Sequence, residues 1–240
     1  MISKNQVKLI RQLEQKKFRQ REGLFVAEGP KVVGDLLAAG FRPASLFATD
    51  EWQSDTLSGI QRVSPDELSR ISFLQHPQQV LALFPFPDSQ SLESVSISDL
   101  TLALDDVQDP GNLGTIIRIA DWFGIHNIVC SPATADAWNP KVVQATMGSI
   151  ARVNIFYTPL PAFISSCHLP VCGMVLDGDS IYTMQLPSPA IIVMGNEGNG
   201  ISADVRRLLT HRLLIPRYSQ GPDSLNVAIA TAITCAEFRR

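Results

Sequence analysis

Long apolar runs are missing from this 240-residue sequence. None approaches the roughly 20 residues needed to cross a bilayer. The opening stretch MISKNQVKLIRQLEQKKFRQREG lacks the apolar core of a signal peptide, so the cytoplasm is the expected compartment. Cysteine is scarce. Cys130, Cys167, Cys172 and Cys235 are scattered, with no C-x-x-C and no histidine at metal-ligand spacing. That pattern speaks against a zinc site or a disulfide framework and reads as buried thiols in a reducing compartment. His76, His126, His168 and His211 are equally dispersed, and none stands out as a ligand or base. Three catalytic signatures are also absent: G-x-x-x-x-G-K-[ST], G-x-S-x-G and H-E-x-x-H. P-loop hydrolysis, esterase chemistry and zinc hydrolysis therefore have little support.

Hydrophobic residues make up 45% of the chain and charged residues 18%, an ordinary globular composition. The net charge of −3 is unevenly spread. Residues 1–31 hold eight Lys/Arg against three Glu, while the rest of the chain is acidic. Such asymmetry fits either a solvated basic helix face or a local site for a polyanion such as RNA.

The first ninety or so residues alternate helix and strand signals. Val7–Arg19 is a basic helix candidate. LFVAEG, SLFAT and QVLALF read as strands. GPKVVGDLLAAG has proline at a helix start and glycine at its end. SPDELSRIS carries a serine cap with Glu67 three residues on, a capping box. The expectation is a small α/β domain over 1–88. The Pro- and Ser-containing stretch between Pro85 and Asp99 is a linker candidate. From 99 to 240 short apolar strands again alternate with helices, which predicts a mostly parallel sheet with helices on both faces.

Three loops in this second part follow apolar strands, the position where open α/β sheets bind ligands. The first is DDVQDPGNLGTIIRIA. It is not the G-x-G-x-x-G fingerprint, which counts against a dinucleotide site. Asn112 and Arg118 are separated by nearly two helical turns, so they do not stack on an ideal helix. Arg118 among apolar residues is either a stem laid past the core or a guanidinium aimed at a phosphate. The second loop is IIVMGNEGNGIS, where Gly195, Gly198 and Gly200 permit a tight turn or a close approach of backbone to ligand. The third is IPRYSQGPDSLNVAIATAI. Asp223 or Ser224 suffices to cap the helix that follows, which leaves Asn226 inside the first turn without an assigned job. That helix is apolar on nearly every side and should be buried against the sheet or a second subunit.

Together these loops resemble the three motifs of the SpoU (TrmH-type) RNA 2′-O-ribose methyltransferases of the SPOUT superfamily: LDDVQDPGNLGTIIRIADWFGI, MGNEGNGIS and IPRYSQGPDSLNVAIATAI. The stretch WNPKVVQATMGSIARVNI between the first two is also similar, and KKFRQREGLFVAEGPKVVGDLLAAG resembles the substrate-binding domain often found ahead of them. The resemblance implies a catalytic domain with a deep trefoil knot, an exception to the usual unknotted connection. It implies S-adenosyl-L-methionine as cofactor without a metal, and a homodimer. The implied reaction is methyl transfer to a ribose 2′-hydroxyl of RNA, with ribosomal RNA favoured over transfer RNA; a non-catalytic RNA-binding or assembly factor of the same fold is the alternative. Carried over position by position, Asn112, Arg118, Glu197, Ser224 and Asn226 fall on the family's polar site. Met194, Gly195, Asn196, Gly198, Ile215 and Leu225 fall on its cofactor contacts. Lys16, Arg19, Arg21 and Lys141 are the expected RNA contacts. Pro222 and Asp223 depart from the small residues common in the family.

Overall fold

A computed structural model describes residues 1–54, 59–87, 99–220 and 224–240. Most of the expected linker, and Pro222 and Asp223, lie outside the described residues. The chain forms two compact units. Among the described residues the first holds 1–54, 59–87 and 136–151, and the second holds 99–135, 152–220 and 224–240.

The first unit begins with α1 (Lys4–Gln12) and α2 (Lys16–Glu22), followed by β1 (Leu24–Glu28), α3 (Pro30–Ala38), β2 (Ser45–Ala48), β3 (Gln61–Arg62), α4 (Pro65–Ile71) and β4 (Val80–Pro85). Its sheet has the order β1-β4-β2-β3, with β4 antiparallel to both neighbours and β3 parallel to β2. The capping box of α4 is formed: Glu67 N–H donates to Ser64 Oγ at 3.2 Å and Ser64 N–H to Glu67 Oε2 at 3.0 Å. Ile10, Leu13, Val26, Phe47, Leu68, Ile71 and Leu81 fill the core.

The single helix expected over Val7–Arg19 is two helices, a correction with a clear cause. Gln15 is extended and caps α2. The break exposes carbonyls at Leu13 and Glu14, and both accept from Arg19 Nη1, at 2.8 and 2.7 Å. Arg19 therefore turns inward, is only 1% exposed, and ion-pairs with Asp136. It cannot be the RNA contact expected of it. Lys16 and Arg21 stay exposed on α2.

The second half contributes β5 (Thr101–Leu104), α5 (Pro110–Trp122), β6 (Asn127–Cys130), α6 (Pro140–Ala145), β7 (Asn154–Tyr157), α7 (Leu160–Ser166), β8 (Val171–Ser180), β9 (Ile191–Met194), α8 (Ala203–Arg206), β10 (His211–Leu214) and α9 (Val227–Phe238). Of these, α6 belongs to the first unit, although the sequence assigns it to the second. Trp138, just ahead of it, packs on Phe25 and Phe86 with ring centroids 4.6 and 5.7 Å away.

The sheet of the second unit has six strands in the order β10-β8-β9-β5-β6-β7, all parallel. Every residue of β5 and β9 is buried, which is why both read as unbroken apolar runs. Helices α7 and α8 cover the face that carries Ala103 and Val193, and α5 packs on α9. Among the described residues no helix is long and apolar enough to cross a membrane. The strand order reverses between β5 and β9. Two neighbouring parallel strands thus send their following loops apart and leave a crevice at their carboxyl ends, where such sheets take ligands.

Candidate active site

The loop after β5 is anchored from both sides. Asp105 N–H donates to Met194 O at 2.9 Å, tying it to the end of β9. Asp106 takes positive φ, and its carboxylate accepts from Ser131 Oγ at 2.5 Å. Asp109 then caps α5, accepting from Asn112 N–H at 2.8 Å. This places Asn112 in the first turn of α5 with its side chain free to reach across the crevice.

The loop after β9 folds on itself. Asn196 and Gly200 exchange backbone hydrogen bonds of 3.0 and 2.9 Å, and Gly200 has φ +69. A Cβ on Gly195 would lie 2.3 Å from the Gly200 carbonyl carbon and 2.4 Å from Ile201 N, so only glycine allows this closure. Asn196 Oδ1 accepts from the N–H groups of Gly198 and Asn199, both at 2.9 Å, and its Nδ2 donates to Asp106 O at 2.8 Å. The side chain of Asn196 thus builds the loop. Met194 ends β9 with its side chain buried. Glu197, Gly198 and Gly200 are exposed.

The two loops meet the head of α9 through one chain of hydrogen bonds. Asn226 caps α9: its Oδ1 accepts from Ala228 N–H at 2.9 Å and Ile229 N–H at 3.2 Å. Its Nδ2 must therefore donate, and it does so to Asn112 Oδ1 at 2.9 Å. Asn112 Nδ2 then donates to Glu197 Oε1, also at 2.9 Å. The helix cap dictates the direction of every bond in this series, because an amide side chain accepts at one end and donates at the other. The polar pair left open by the sequence is thus resolved. Asn226, and not Ser224, caps α9, and the same amide joins the site. Ser224 is exposed ahead of the helix.

Arg118 is exposed on α5, in line with Gly111, Thr115 and Trp122 along one helix face, and makes no hydrogen bond or ion pair among the described residues. Its guanidinium points away from the buried face of Leu113, Ile116, Ile117 and Ala120, so it does not lay its stem past the core. Ile215 follows β10 half-buried, and Leu225 is exposed. Lys141 is exposed on α6 of the first unit. Sequence reasoning missed Asp105, Asp106 and Asp109, whose signal was only a run of acidic residues ahead of a helix.

Replacing Asn226 separates its two jobs. Asn226→Ala should lower stability by about 1 kcal/mol through loss of the cap. Asn226→Asp keeps the cap but turns an acceptor toward Asn112 Oδ1. Thermal unfolding is expected to rank Asp above Ala, with the activity of the site down about ten-fold or more in both. Full activity in Asn226→Asp would reduce this residue to a cap.

A parallel sheet with polar, glycine-containing loops at its switch point is the framework of an α/β ligand-binding protein. Comparison with known proteins sharpens that class. The model of the SpoU rRNA methylase family matches residues 99–236, and that of the MRM3-like substrate binding domain matches residues 4–82. The 23S rRNA (guanosine(2553)-2′-O)-methyltransferase RlmP of Bacillus subtilis is 33% identical, over 99% of this chain and 97% of its own. A proposed RNA methyltransferase of the TrmH family from Porphyromonas gingivalis superposes with a TM-score of 0.88 at 43% identity, over 100% of this chain and 98% of that one. The AdoMet-bound rRNA methyltransferase of Sinorhizobium meliloti gives 0.88 at 32% identity, over 100% and 96%. The chain belongs to the SpoU rRNA methylase family.

Proposed function

We propose that this chain transfers a methyl group from S-adenosyl-L-methionine to a ribose 2′-hydroxyl of RNA, with ribosomal RNA as the substrate class. The observation that carries the reading is the hydrogen-bond chain from Glu197 through Asn112 to the cap of α9, which draws all three family motifs into one site. The residues present fit the cofactor. A Cβ on Gly198 would meet only Asn196 Oδ1, at 3.5 Å, so the exposed backbone of this loop is open to a ligand. Gly195, Gly198, Ile215 and Leu225 would hold it, with Met194 and Asn196 shaping the loop. S-adenosyl-L-methionine supplies, when bound, an electrophilic methyl on a sulfonium centre.

A hydroxyl is a weak nucleophile until its proton is shared or removed. A guanidinium is a poor proton acceptor, so Arg118 is not assigned as the base. Its role in this reading is to grip the phosphate beside the ribose and stabilise the developing alkoxide. Ser224 or that phosphate relays the proton. Glu197 and Asn226 hold the Asn112 amide in one orientation, which fixes the substrate's polar surroundings before reaction.

Lys16, Arg21 and Lys141 are the RNA contacts of this proposal in the first unit. Alanine at Lys16 and Arg21 should weaken RNA binding and leave cofactor affinity unchanged. It should also flatten the salt dependence, by about 0.7 in slope for each phosphate of a single strand no longer neutralised. An unaltered slope would remove them from the interface. The reading also includes the trefoil knot, a cytoplasmic location and a homodimer. A monomer in sedimentation at assay concentration would refute the dimer.

The deciding experiment is transfer of labelled methyl to unmodified ribosomal and transfer RNA fractions, with nuclease digestion to locate the label. Label on a ribose 2′-oxygen of ribosomal RNA is the expected result. Absence of both label and cofactor binding would favour a non-catalytic RNA-binding factor.

A further inference from the structure

The first unit holds a cavity of about 280 Å³, remote in sequence from the three loops just described. Its lining includes Val26, Glu28, Phe73, Pro140, Lys141 and Gln144. Glu28, the last residue of β1, is 5% exposed and marks the buried end. Lys141 is exposed and marks the open one. Ser72 Oγ donates to Glu28 Oε2, and Phe73 N–H donates to Oε1 at 2.8 Å. A carboxylate oxygen accepts more than one hydrogen bond, so both keep acceptor capacity. Burial pushes the Glu28 carboxyl above its ordinary value, against the pull of those two hydrogen bonds and of Arg11.

The walls are apolar and partly flat. Val26 and Pro140 are buried, and Phe73 presents a ring that also carries the Arg11 guanidinium 5.4 Å from its centroid. Gln144 is half-buried, between the acid and the lysine in exposure. Flat apolar walls around a few fixed polar groups are how proteins hold an unpaired nucleobase, by stacking and by hydrogen bonds to its Watson–Crick edge. Two adjacent acceptors at the buried end select among the bases. Guanine presents two neighbouring donors on that edge, N1–H and the N2 amino group. Adenine and cytosine set a ring acceptor beside their amino group, which would face a carboxylate oxygen. Uracil flanks its one N–H with two carbonyls.

We propose that this cavity is a recognition site for a single unpaired guanine of RNA, with Glu28 accepting from N1–H and the N2 amino group, Phe73 against the base face, and Gln144 and Lys141 donating to O6 and the flanking phosphate. The proposal rests on the RNA-methylation reading above and adds to it the base that the first unit selects.

The test is fluorescence anisotropy of the full chain with labelled oligouridine carrying one central guanosine, and with the same strand carrying inosine, which lacks the N2 amino group. Guanosine is expected to bind about ten-fold tighter. Glu28→Gln should abolish that preference and leave binding of plain oligouridine unchanged. The amide can keep both internal partners, accepting from Phe73 N–H and donating to Ser72 Oγ, so an unchanged thermal midpoint is expected beside the lost preference. Equal affinity for guanosine and inosine strands, or a preference that survives Glu28→Gln, would overturn the proposal. So would shifts of the Phe73 resonances on adding acetyl-arginine amide with no response to guanosine, which would assign the cavity to an arginine of a protein partner. Methylation of ribosomal RNA without guanosine preference defeats this proposal alone. Loss of both RNA binding and methylation in the unaltered chain defeats the underlying reading as well.

Discussion

Arg118→Ala should slow single-turnover methyl transfer by about 10²–10³-fold, with the Kd for S-adenosylmethionine unchanged. The size follows from the reaction proposed here. Charge develops on the ribose oxygen, and the motifs place no histidine as a base to take its proton. Stabilisation must then come from a fixed positive group, and the guanidinium of Arg118 is exposed and without a protein partner among the described residues. In the proposed reading the cofactor is held by Gly195, Gly198, Ile215 and Leu225, none of them on α5, which is why affinity for the cofactor should not move. Arg118→Lys separates charge from geometry. A lysine keeps the charge but loses the planar fork that matches two phosphate oxygens. Recovery of little of the lost rate is expected. Full rate with lysine would show that a point charge suffices and that the bidentate grip is wrong.

The parts of this fold legible in the sequence are those set by neighbours along the chain. The capping box at Ser64 and Glu67 is a local exchange of hydrogen bonds, and it forms as expected. The buried strands β5 and β9 announce themselves as apolar runs because both of their faces are covered. The three loops are visible because a parallel sheet puts its ligand loops after strands. Choices between near-equivalent residues were harder. Ser224 and Asn226 both cap helices well, and Asn226, which holds the cap, is also bonded to Asn112, 114 residues away. The break between α1 and α2 was equally hidden, since the residue that satisfies its open carbonyls draws its own charge partner from 117 residues further on. Segment 136–151 joins the first unit through Asp136 and Trp138, and a composition profile carries no trace of such pairing. Glu28 lies within the strand read from LFVAEG, and its burial is a tertiary property that the local sequence does not carry.

Arg19 provides the second large effect, in stability and not in binding. Arg19→Ala should cost about 3–5 kcal/mol, the range for breaking a buried ion pair by removing one partner. Three losses add up at one place. The Asp136 carboxylate keeps, among the described residues, its bond from Trp138 N–H, at 3.2 Å, and no longer has its cation. The carbonyls of Leu13 and Glu14 lose their donor at the junction of α1 and α2. The guanidinium's volume is left empty beside a packed core. Arg19→Lys should rescue little, because one ammonium cannot reproduce two Nη contacts that point to carbonyls on one side and a carboxylate on the other. Thermal or denaturant unfolding measures the loss. The salt dependence of RNA binding, taken at a temperature where the variant is still folded, supplies the contrast. Arg19→Ala should leave the slope of log K against log salt where it was, since a guanidinium inside the protein releases no counterion from RNA. Alanine at Arg21, three residues from its ring partner Phe18 and exposed, should change the slope and leave stability nearly intact. A shallower slope in Arg19→Ala with an unchanged unfolding midpoint would return Arg19 to the RNA surface and contradict the inward turn that divides α1 from α2.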